Sequence, residues 1–331
     1  MTESSNLAQS IVPPLETADV NIGNRKGEQT WTELGLTGVV WFLAFAATVG
    51  VLLWMSVIVF KDARPAIAAF GLKFLWSQTW NVGKGEFGAL PFIYGTLVSS
   101  LLAILIAVSL GVAVAIVTSE DFLPPWVRSP IAFLVELIAS IPSVIVGLWG
   151  IFVLIPFLQP IQQWLFTHFK WLPLFSTEPL GLGMFAAVII LAVMILPTVA
   201  AISREVLSAL PREFRSASMS LGATRWETIW RVLLPAGSSG ILGASILALG
   251  RALGETMAVT MVIGNSIQIS PSLLAPGYTI PSMLATQFPE ALDELHVGSL
   301  MYLALILFAI TFAINLIAVL MVQLIGNRAI D

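Results

Sequence analysis

The sequence predicts an all-α polytopic membrane protein that crosses the bilayer six times. Hydrophobic residues make up 57% of the 331 residues and charged residues only 10%, whereas soluble domains carry about 25% charged residues. The apolar residues gather into six runs, each long enough to cross a hydrocarbon core, which takes about 20 helical residues. Between the fourth and fifth runs lies a charged stretch, residues 212–235, which is rich in Arg.

The predicted spans divide the chain into one membrane domain and two polar tails. The membrane domain covers residues 36–326 and includes a connecting segment at 203–235. Residues 1–35 are expected to form the N-terminal tail, and we expect no cleavable signal peptide because the first apolar run begins late and is too long. Residues 327–331 form the C-terminal tail. The six spans are expected at about 36–60, 90–118, 130–157, 182–202, 236–264 and 298–325.

The distribution of basic residues predicts which ends of the spans face the cytoplasm. Cytoplasmic loops carry more Lys and Arg than external loops. One side of the predicted bundle holds Arg25, Lys26, Arg128, Arg204, Arg212, Arg215, Arg225, Arg231 and Arg328. The other side holds fewer, namely Lys61, Arg64, Lys73, Lys84 and Lys170. Both termini and the segment 203–235 are therefore expected to be cytoplasmic.

Residues 212–235 carry the signals of a helix–Gly–helix hairpin. Pro211 suits the start of the first helix, where its missing N–H costs nothing, and Gly222 suits a left-handed C-terminal cap. The pattern Thr224-x-x-Glu227 is a capping box that starts the second helix, and Pro235 is expected to end that helix. Each helix carries an apolar stripe at helical spacing, formed by Phe214, Ala217 and Leu221 and by Trp226, Ile229, Trp230 and Leu233. The hairpin is therefore expected to lie on a membrane surface with its Arg side chains uppermost.

Three charged residues fall inside the predicted spans: Glu136 in the third and Arg251 and Glu255 in the fifth. A charge at the centre of a membrane helix costs about 2.5–3.5 kcal/mol, and Arg251 and Glu255, at i and i+4, are close enough to pair. They form either a structural ion pair or part of a substrate pathway, in which Arg binds an oxyanion and Glu competes for it. Gly250 and Gly254 leave room for a neighbouring helix or a ligand. Glu136 has either a gating or packing role or a place at the membrane interface.

The loops on the side opposite the hairpin give weaker signals. The aromatic residues of 61–89 predict a short amphipathic helix on the outer face, with an interfacial aromatic belt. The pattern Gly83-x-Gly85-x-x-Gly88 in this loop follows no buried strand and so does not indicate a dinucleotide site. His168 and His296 have no second ligand at metal spacing and are expected on the surface.

Several classes of function lack the residues they require. No Lys is followed by Ser or Thr, so the chain contains no P-loop and any ATP must be bound by another subunit. The sequence has no Ser–His pair or HExxH for hydrolysis, no Cys for a metal or a disulfide, and no basic groove for nucleic acid. A secondary transporter would have matched interrupted spans, which we do not find. We therefore expect neither a metal nor a cofactor in this chain.

Two groups of residues resemble the permeases of ABC importers. The segments Ser216-Ala217-Ser218, Gly222 and Val232-x-Leu234-Pro235 have the spacing of the EAA loop, which in that family docks into a cytoplasmic ATPase. Ser216 stands where the family usually has Glu, Ser218 replaces its second Ala, and Val232 replaces Ile. The stretches 87–96, 141–147 and 250–259 resemble the phosphate-specific ABC permease family, and Gly-Glu-Thr-Met in the last stretch resembles its PstC-type subunits.

The resemblance implies a six-span type I ABC importer permease bundle in the inner membrane of a bacterium, with the hairpin as its coupling element. It also implies a PstA-like second permease, two PstB-like ATPase subunits that bind ATP and Mg, and a PstS-like external phosphate-binding protein. We assign to the substrate pathway Arg251, Glu255, Thr256 and Glu136. We assign to ATPase coupling Ser216, Ala217, Ser218, Gly222, Ala223, Thr224, Leu234 and Pro235. The residues alone leave another oxyanion, or an ion-coupled transporter, open.

Overall fold

The computed structural model describes residues 31–120 and 122–328, whose regular structure is helical apart from one isolated β-bridge between Asn81 and Glu86. The chain forms two compact units, of which the first ends at Ser56 and the second begins at Val57. The boundary falls within helix α1. The predicted N-terminal tail lies mostly outside the described residues. The α-helices are α1 (Trp31–Phe70), α2 (Leu90–Ser119), α3 (Pro125–Ala139), α4 (Ser143–Trp149), α5 (Ile155–Phe169), α6 (Met184–Ala209), α7 (Arg212–Ser220), α8 (Arg225–Thr228), α9 (Leu234–Gly254), α10 (Met257–Val262), α11 (Ile280–Gln287) and α12 (Glu294–Arg328).

Six helical segments are long and apolar enough to cross a membrane, so the predicted fold class is confirmed. These segments are Gly38–Leu75, Leu90–Ser119, Ser143–Phe169, Met184–Ala209, Arg225–Gly254 and Glu294–Gln323. The second agrees with the expected 90–118 almost to the residue. The first, fourth and sixth extend beyond the predicted ends, because the polar residues at their ends remain helical.

The third span begins at Ser143, well after the predicted start at 130. Helix α3 ends at Ala139, and Pro142 adopts an extended conformation with ψ 137° before α4 begins. A proline disfavours the helical conformation of the residue before it, and Ile141 occupies that position. The predicted span 130–157 therefore combined the end of α3 with the start of the next helix. The connection to the fourth span, expected directly after residue 157, begins only after Phe169.

Two prolines are accommodated inside long helical segments by a wider turn. A π-helical turn, Gly150–Leu154, comes just before Pro156, and a second, Ile229–Leu233, comes just before Pro235. A proline lacks the N–H for the i→i−4 bond and its ring clashes with that carbonyl, and a π turn shifts the bonding by one residue. The prediction that Pro235 ends the second hairpin helix is therefore wrong, because the helix runs on from Arg225 to Gly254.

Helix α6 lies at the centre of the main core and packs against α2, α3, α9 and α10. Its buried residues include Ile190, Leu191 and Ile195, each at most 1% exposed. The approach to α2 is close, since a Cβ added to Gly111 would lie 2.9 Å from Val199 Cβ. Small residues allow such close helix packing in membranes, where van der Waals contact drives association.

A second core forms from aromatic residues that the sequence placed at the membrane interface. Phe74 and Phe87 are 0% and 2% exposed, and the loop 61–89 contains the end of α1 and a 3₁₀ turn, Gly71–Leu75, in place of the expected amphipathic helix. His296 stacks on Phe87 with ring centroids 5.5 Å apart and is 4% exposed. The surface prediction for His296 is therefore wrong, because aromatic stacking buries its ring. His168 is exposed, as predicted.

Candidate functional site

Arg251 lies in the last turn of α9 and points away from its predicted partner. Its Nη1 donates a hydrogen bond to Thr198 Oγ1 of α6 over 3.3 Å, and within the described residues it forms no ion pair with Glu255. The helix ends at Gly254, and Glu255 adopts an extended conformation with ψ 125°. The expected i, i+4 pair is therefore wrong, because the two residues do not share a continuous helix.

Glu255 serves the following helix instead. Its Oε1 accepts a hydrogen bond from the backbone N–H of Ala258 in the first turn of α10, over 3.4 Å. A carboxylate at this position is stabilised by the unpaired N–H groups of a helix N-terminus. The predicted fifth span at 236–264 is consequently two helices, α9 and α10, with a break at Glu255 and Thr256. An interrupted membrane helix is tolerated where its backbone is buried in protein or lines a cavity.

A groove beside the break combines one charged group with apolar walls. Arg251 lines a cavity of about 340 Å³ together with Ile138, Ile141, Ile145, Val146, Trp149, Val193 and Met194. Arg251 is solvent-exposed at this groove, so its guanidinium is accessible to an anion, and the apolar side chains beside it offer no competing hydrogen-bond acceptor. Four of the guanidinium's five N–H groups have no partner within the described residues, which leaves them available to an oxyanion.

The structure separates Glu136 from this groove. Its Oε1 pairs with Arg204 Nη2 of α6 over 2.8 Å, and its side chain is 58% exposed. Glu136 and Arg251 therefore do not form a common site in this conformation. Thr256 lies at the break, where its Oγ1 donates to Gly254 O over 3.2 Å, so it stays next to Glu255 but is not a lining residue of the cavity.

The hairpin forms as its local signals predict. Gly222 has a φ of +87°, the left-handed conformation that a C-terminal cap requires. The capping box is complete, because Glu227 N donates to Thr224 Oγ1 over 3.3 Å and Thr224 N donates to Glu227 Oε2 over 2.8 Å. The Ala223 N–H closes the end of α7 on Ser218 O over 3.2 Å.

The two hairpin helices present their apolar residues differently. In the second helix, Ile229 and Leu233 are 2% and 1% exposed and pack with residues of α2 and α6, while Trp226 and Trp230 remain exposed. In the first helix, Phe214 and Leu221 are exposed. The Ser218 Oγ and Thr228 Oγ1 atoms lie 2.9 Å apart and join the helices. The apolar residues of the second helix thus pack into the bundle, whereas those of the first helix are exposed.

The remaining predicted coupling residues lie on two different helical segments. Ser216 and Ala217 are exposed on α7, and Ser216 Oγ bonds back to its own helix at Glu213 O over 3.2 Å. Leu234 is half-buried and Pro235 is exposed. Both lie within the continuous helix, so they belong to the connection between the hairpin and Arg251.

Comparison with known proteins places the chain in a family. Residues 104–331 match the family described as "Binding-protein-dependent transport system inner membrane component". The chain is 45% identical over 279 residues to the phosphate transport system permease protein PstC of Mesorhizobium japonicum, which covers 83% of this chain and 85% of that protein. It is 42% identical over 270 residues to the PstC protein of Xylella fastidiosa strain 9a5c, covering 80% and 83%. This chain belongs to the PstC-type permeases of that family.

Solved ABC transporters have the same fold. The methionine transporter MetNI, in an inward-facing conformation, aligns with a TM-score of 0.55 at 18% identity, covering 71% of this chain and 94% of that chain. A bacterial alginate ABC transporter aligns with a TM-score of 0.51 at 16% identity, covering 88% and 96%. At such low identity the likeness establishes the permease fold alone.

Sequence reasoning missed several polar residues of this permease. Thr198 had no signal, since a lone Thr in an apolar run usually bonds its own helix. Asn265 Nδ2 donates to Thr260 O over 3.0 Å, and its Oδ1 accepts from Ser282 Oγ over 3.0 Å, so it ties the end of α10 to the start of α11. Its φ of +49° is the left-handed conformation, which follows Gly264 at +90°. The Gly-Asn pair was a turn signal that could have located this tie.

Proposed function

We propose that this chain is a permease subunit of an ATP-driven phosphate importer and forms half of its translocation pathway. The family membership and the six-span fold support a transport subunit. The relatives named as phosphate transport permeases support phosphate as the substrate. The observation that carries the assignment within this chain is Arg251, whose guanidinium faces an apolar groove.

Arg251 suits the transient binding of an oxyanion. A guanidinium is always charged and offers a planar set of donors that matches the oxygens of phosphate. Its hydrogen bond to Thr198 holds the side chain at the groove without neutralising its charge. Glu255 lies at the break itself and accepts a hydrogen bond from α10 and not from Arg251, so it does not neutralise the guanidinium, and its negative charge nearby in the chain opposes very tight binding of an anion. Moderate affinity favours release as well as entry.

The hairpin and Arg251 stand at opposite ends of one helical segment. Arg225–Gly254 comprises 30 residues, or about 45 Å at the rise of an α-helix. The capping box at Thr224 begins this segment and Arg251 lies in its last turn. A displacement of the hairpin by an ATPase would therefore move the guanidinium together with the segment, which couples ATP hydrolysis to the opening of the pathway.

We propose that other subunits complete the transporter. A second permease supplies the other half of the pathway, and an external phosphate-binding protein delivers the anion. Two ATPase subunits bind ATP and Mg, because no Lys of this chain precedes Ser or Thr as a P-loop requires. The transporter resides in the inner membrane of a bacterium, with both termini and the hairpin in the cytoplasm, as the distribution of Lys and Arg favours.

Reconstitution tests this function. The purified complex of this chain with its partners, placed in liposomes with ATP inside and the loaded binding protein outside, is expected to take up labelled phosphate. Uptake should stop when ATP is removed and should continue with an uncoupler. Uptake that depends on the proton gradient and does not require ATP would contradict the proposal. Stronger competition by sulfate than by unlabelled phosphate would assign the permease to a different oxyanion.

A further inference from the structure

The first hairpin helix is fixed to two membrane spans through a single side chain. Arg215 of α7 donates from Nη2 to Glu120 Oε1 over 2.7 Å and from Nε to Glu120 Oε1 and Oε2 over 3.1 and 3.2 Å. It also donates from Nη2 to Leu207 O over 2.9 Å and from Nη1 to Leu210 O over 3.2 Å. Glu120 is the C-cap of α2, and Leu207 and Leu210 lie at the end of α6. The guanidinium therefore joins the ends of three helices.

The burial of this pair distinguishes it from an ordinary surface ion pair. The side chains of Arg215 and Glu120 are 20% and 15% exposed, and they line a cavity of about 110 Å³ whose other walls include Phe122, Ile229 and Leu233. The Arg204–Glu136 pair, also at α6, has one hydrogen bond, and its side chains are 32% and 58% exposed. A partly buried Arg that bonds a carboxylate through two nitrogens fixes the relative orientation of the two side chains. An exposed ion pair contributes little to stability.

The backbone beside Arg215 explains why a fixed geometry is needed. Helix α6 ends at Ala209, and Leu210 and Pro211 follow in extended conformations with ψ 137° each. These two extended residues interrupt the helix between α6 and α7, so α7 is attached to α6 by a short connection and not by a continuous helix. Arg215 spans this connection, because it lies on α7 and bonds to carbonyls on the α6 side. Helix α2 has no loop to the hairpin, so the bond to Glu120 adds a direct attachment to that span.

We propose that Arg215 and Glu120 are positioning residues that make α7 move as one body with the ends of α2 and α6. This inference rests on the proposed transport function and adds a route by which hairpin motion reaches α2. With the pair intact, a push on α7 displaces both spans. Without it, the connection at Leu210 and Pro211 absorbs part of the displacement, so the ATPase still turns over but less phosphate is moved for each ATP.

The test measures phosphate uptake and ATP hydrolysis together in liposomes that contain the full transporter. Arg215→Gln and Glu120→Gln are each expected to lower the ratio of phosphate moved to ATP hydrolysed by about 10-fold, while ATP hydrolysis stays within about two-fold of wild type. Arg215→Lys keeps the charge but loses the fork, and should lower the ratio by about three-fold. The matched control, Arg204→Gln, breaks the exposed pair and should change the ratio by less than about two-fold.

A crosslinking arm separates positioning from loss of folding. The chain contains no Cys, so the double variant Glu120→Cys, Arg215→Cys can be joined selectively by a short bifunctional thiol reagent, with the partner subunits freed of reactive Cys. Crosslinking is expected to raise the ratio of the double variant back towards wild type, whereas capping both thiols with a monofunctional reagent should not. If Arg215→Gln fails to assemble, this comparison carries the test.

The outcomes are distinguishable. A wild-type ratio in Arg215→Gln and Glu120→Gln, or a crosslinked complex that stays as uncoupled as the capped one, would overturn the positioning role and leave the transport function intact. Equal losses in Arg204→Gln and Arg215→Gln would also overturn it, because they would reflect a general effect of charge. A wild-type complex that hydrolyses ATP without moving phosphate would instead refute the proposed function.

Discussion

The hairpin and the break at Glu255 both interrupt helices, yet they arise from different physical causes. The hairpin turns because Gly222 adopts a positive φ and Thr224 caps the next helix, and both features lie within a few residues of the turn. The break between α9 and α10 directly follows Gly254, but unlike Gly222 this glycine does not adopt a positive φ. Its stability comes from the Glu255 side chain on Ala258 and from the packing of buried residues in α10.

This contrast indicates how each region is tuned. A turn built from local caps keeps its shape when its surroundings move, which suits a segment that transmits displacement to other helices. A break that depends on tertiary packing as well as on one local bond changes when its neighbours move, which suits a place where a binding group must be exposed and then covered. Substitutions in the hairpin should therefore act on its own stability, and substitutions near the break should act on transport.

Arg251→Gln should give the largest effect on transport. The substitution removes the only charged lining residue of the groove within the described part of the chain. Hydrogen bonds to charged groups contribute about 1.5–3 kcal/mol, so uptake should fall by about 10- to 150-fold. Uptake is measured in liposomes, with ATPase co-purification as the control for assembly. Uptake at the wild-type rate would mean that Arg251 and the break beside it have only a structural role, so that the break and the hairpin would no longer differ in function.

Gly222→Val should have the next largest effect, on the hairpin. No atom would meet a Cβ at Gly222 within 4 Å, so the cost is conformational, about 1–2 kcal/mol for a left-handed residue with a side chain. We expect less ATPase to co-purify with the permease, because the turn no longer holds α7 in place. Gly222→Asn is the matched control, since Asn tolerates this conformation and should retain the ATPase. Equal retention with Val and Asn would show that the turn is not set locally.

Thr224→Ala should have the smallest effect. Loss of the cap costs about 1 kcal/mol, so the backbone N–H of Glu227, which bonds to Thr224 Oγ1, should exchange with deuterium about five-fold faster. Hydrogen exchange of the peptide that contains Glu227 measures this change. Thr224→Ser keeps the hydroxyl and should exchange as wild type. Unchanged exchange in Thr224→Ala would mean that packing of the second helix, and not its cap, holds the turn.

The sequence was sufficient where structure follows from neighbouring residues. Composition predicted six spans, and the cap signals placed the turn at Gly222 and the helix start at Thr224. The approximate position of α2 also followed from its uninterrupted apolar run.

The remaining features depend on residues distant in the sequence or on a choice among backbone solutions. Pro235 is compatible with a helix end or with a preceding π turn, and only the packing of Ile229 and Leu233 selects the turn. Glu255 had two possible partners, Arg251 and a helix N-terminus, and the chain forms the second. Phe74 and Phe87 carry the same sequence signal as interfacial aromatics but find stacking partners in other segments.

Thiol labelling is the most direct test of whether an oxyanion occupies the groove next to Arg251 during transport. Val193 lines the groove with Arg251, and Val193→Cys gives a single thiol in a chain without other Cys. In the transporter cycling with ATP and the loaded binding protein, phosphate should slow labelling of this thiol, and Arg251→Gln should abolish the protection. Labelling at the same rate with and without phosphate, in a complex that still takes phosphate up, would contradict occupancy of the groove by an oxyanion.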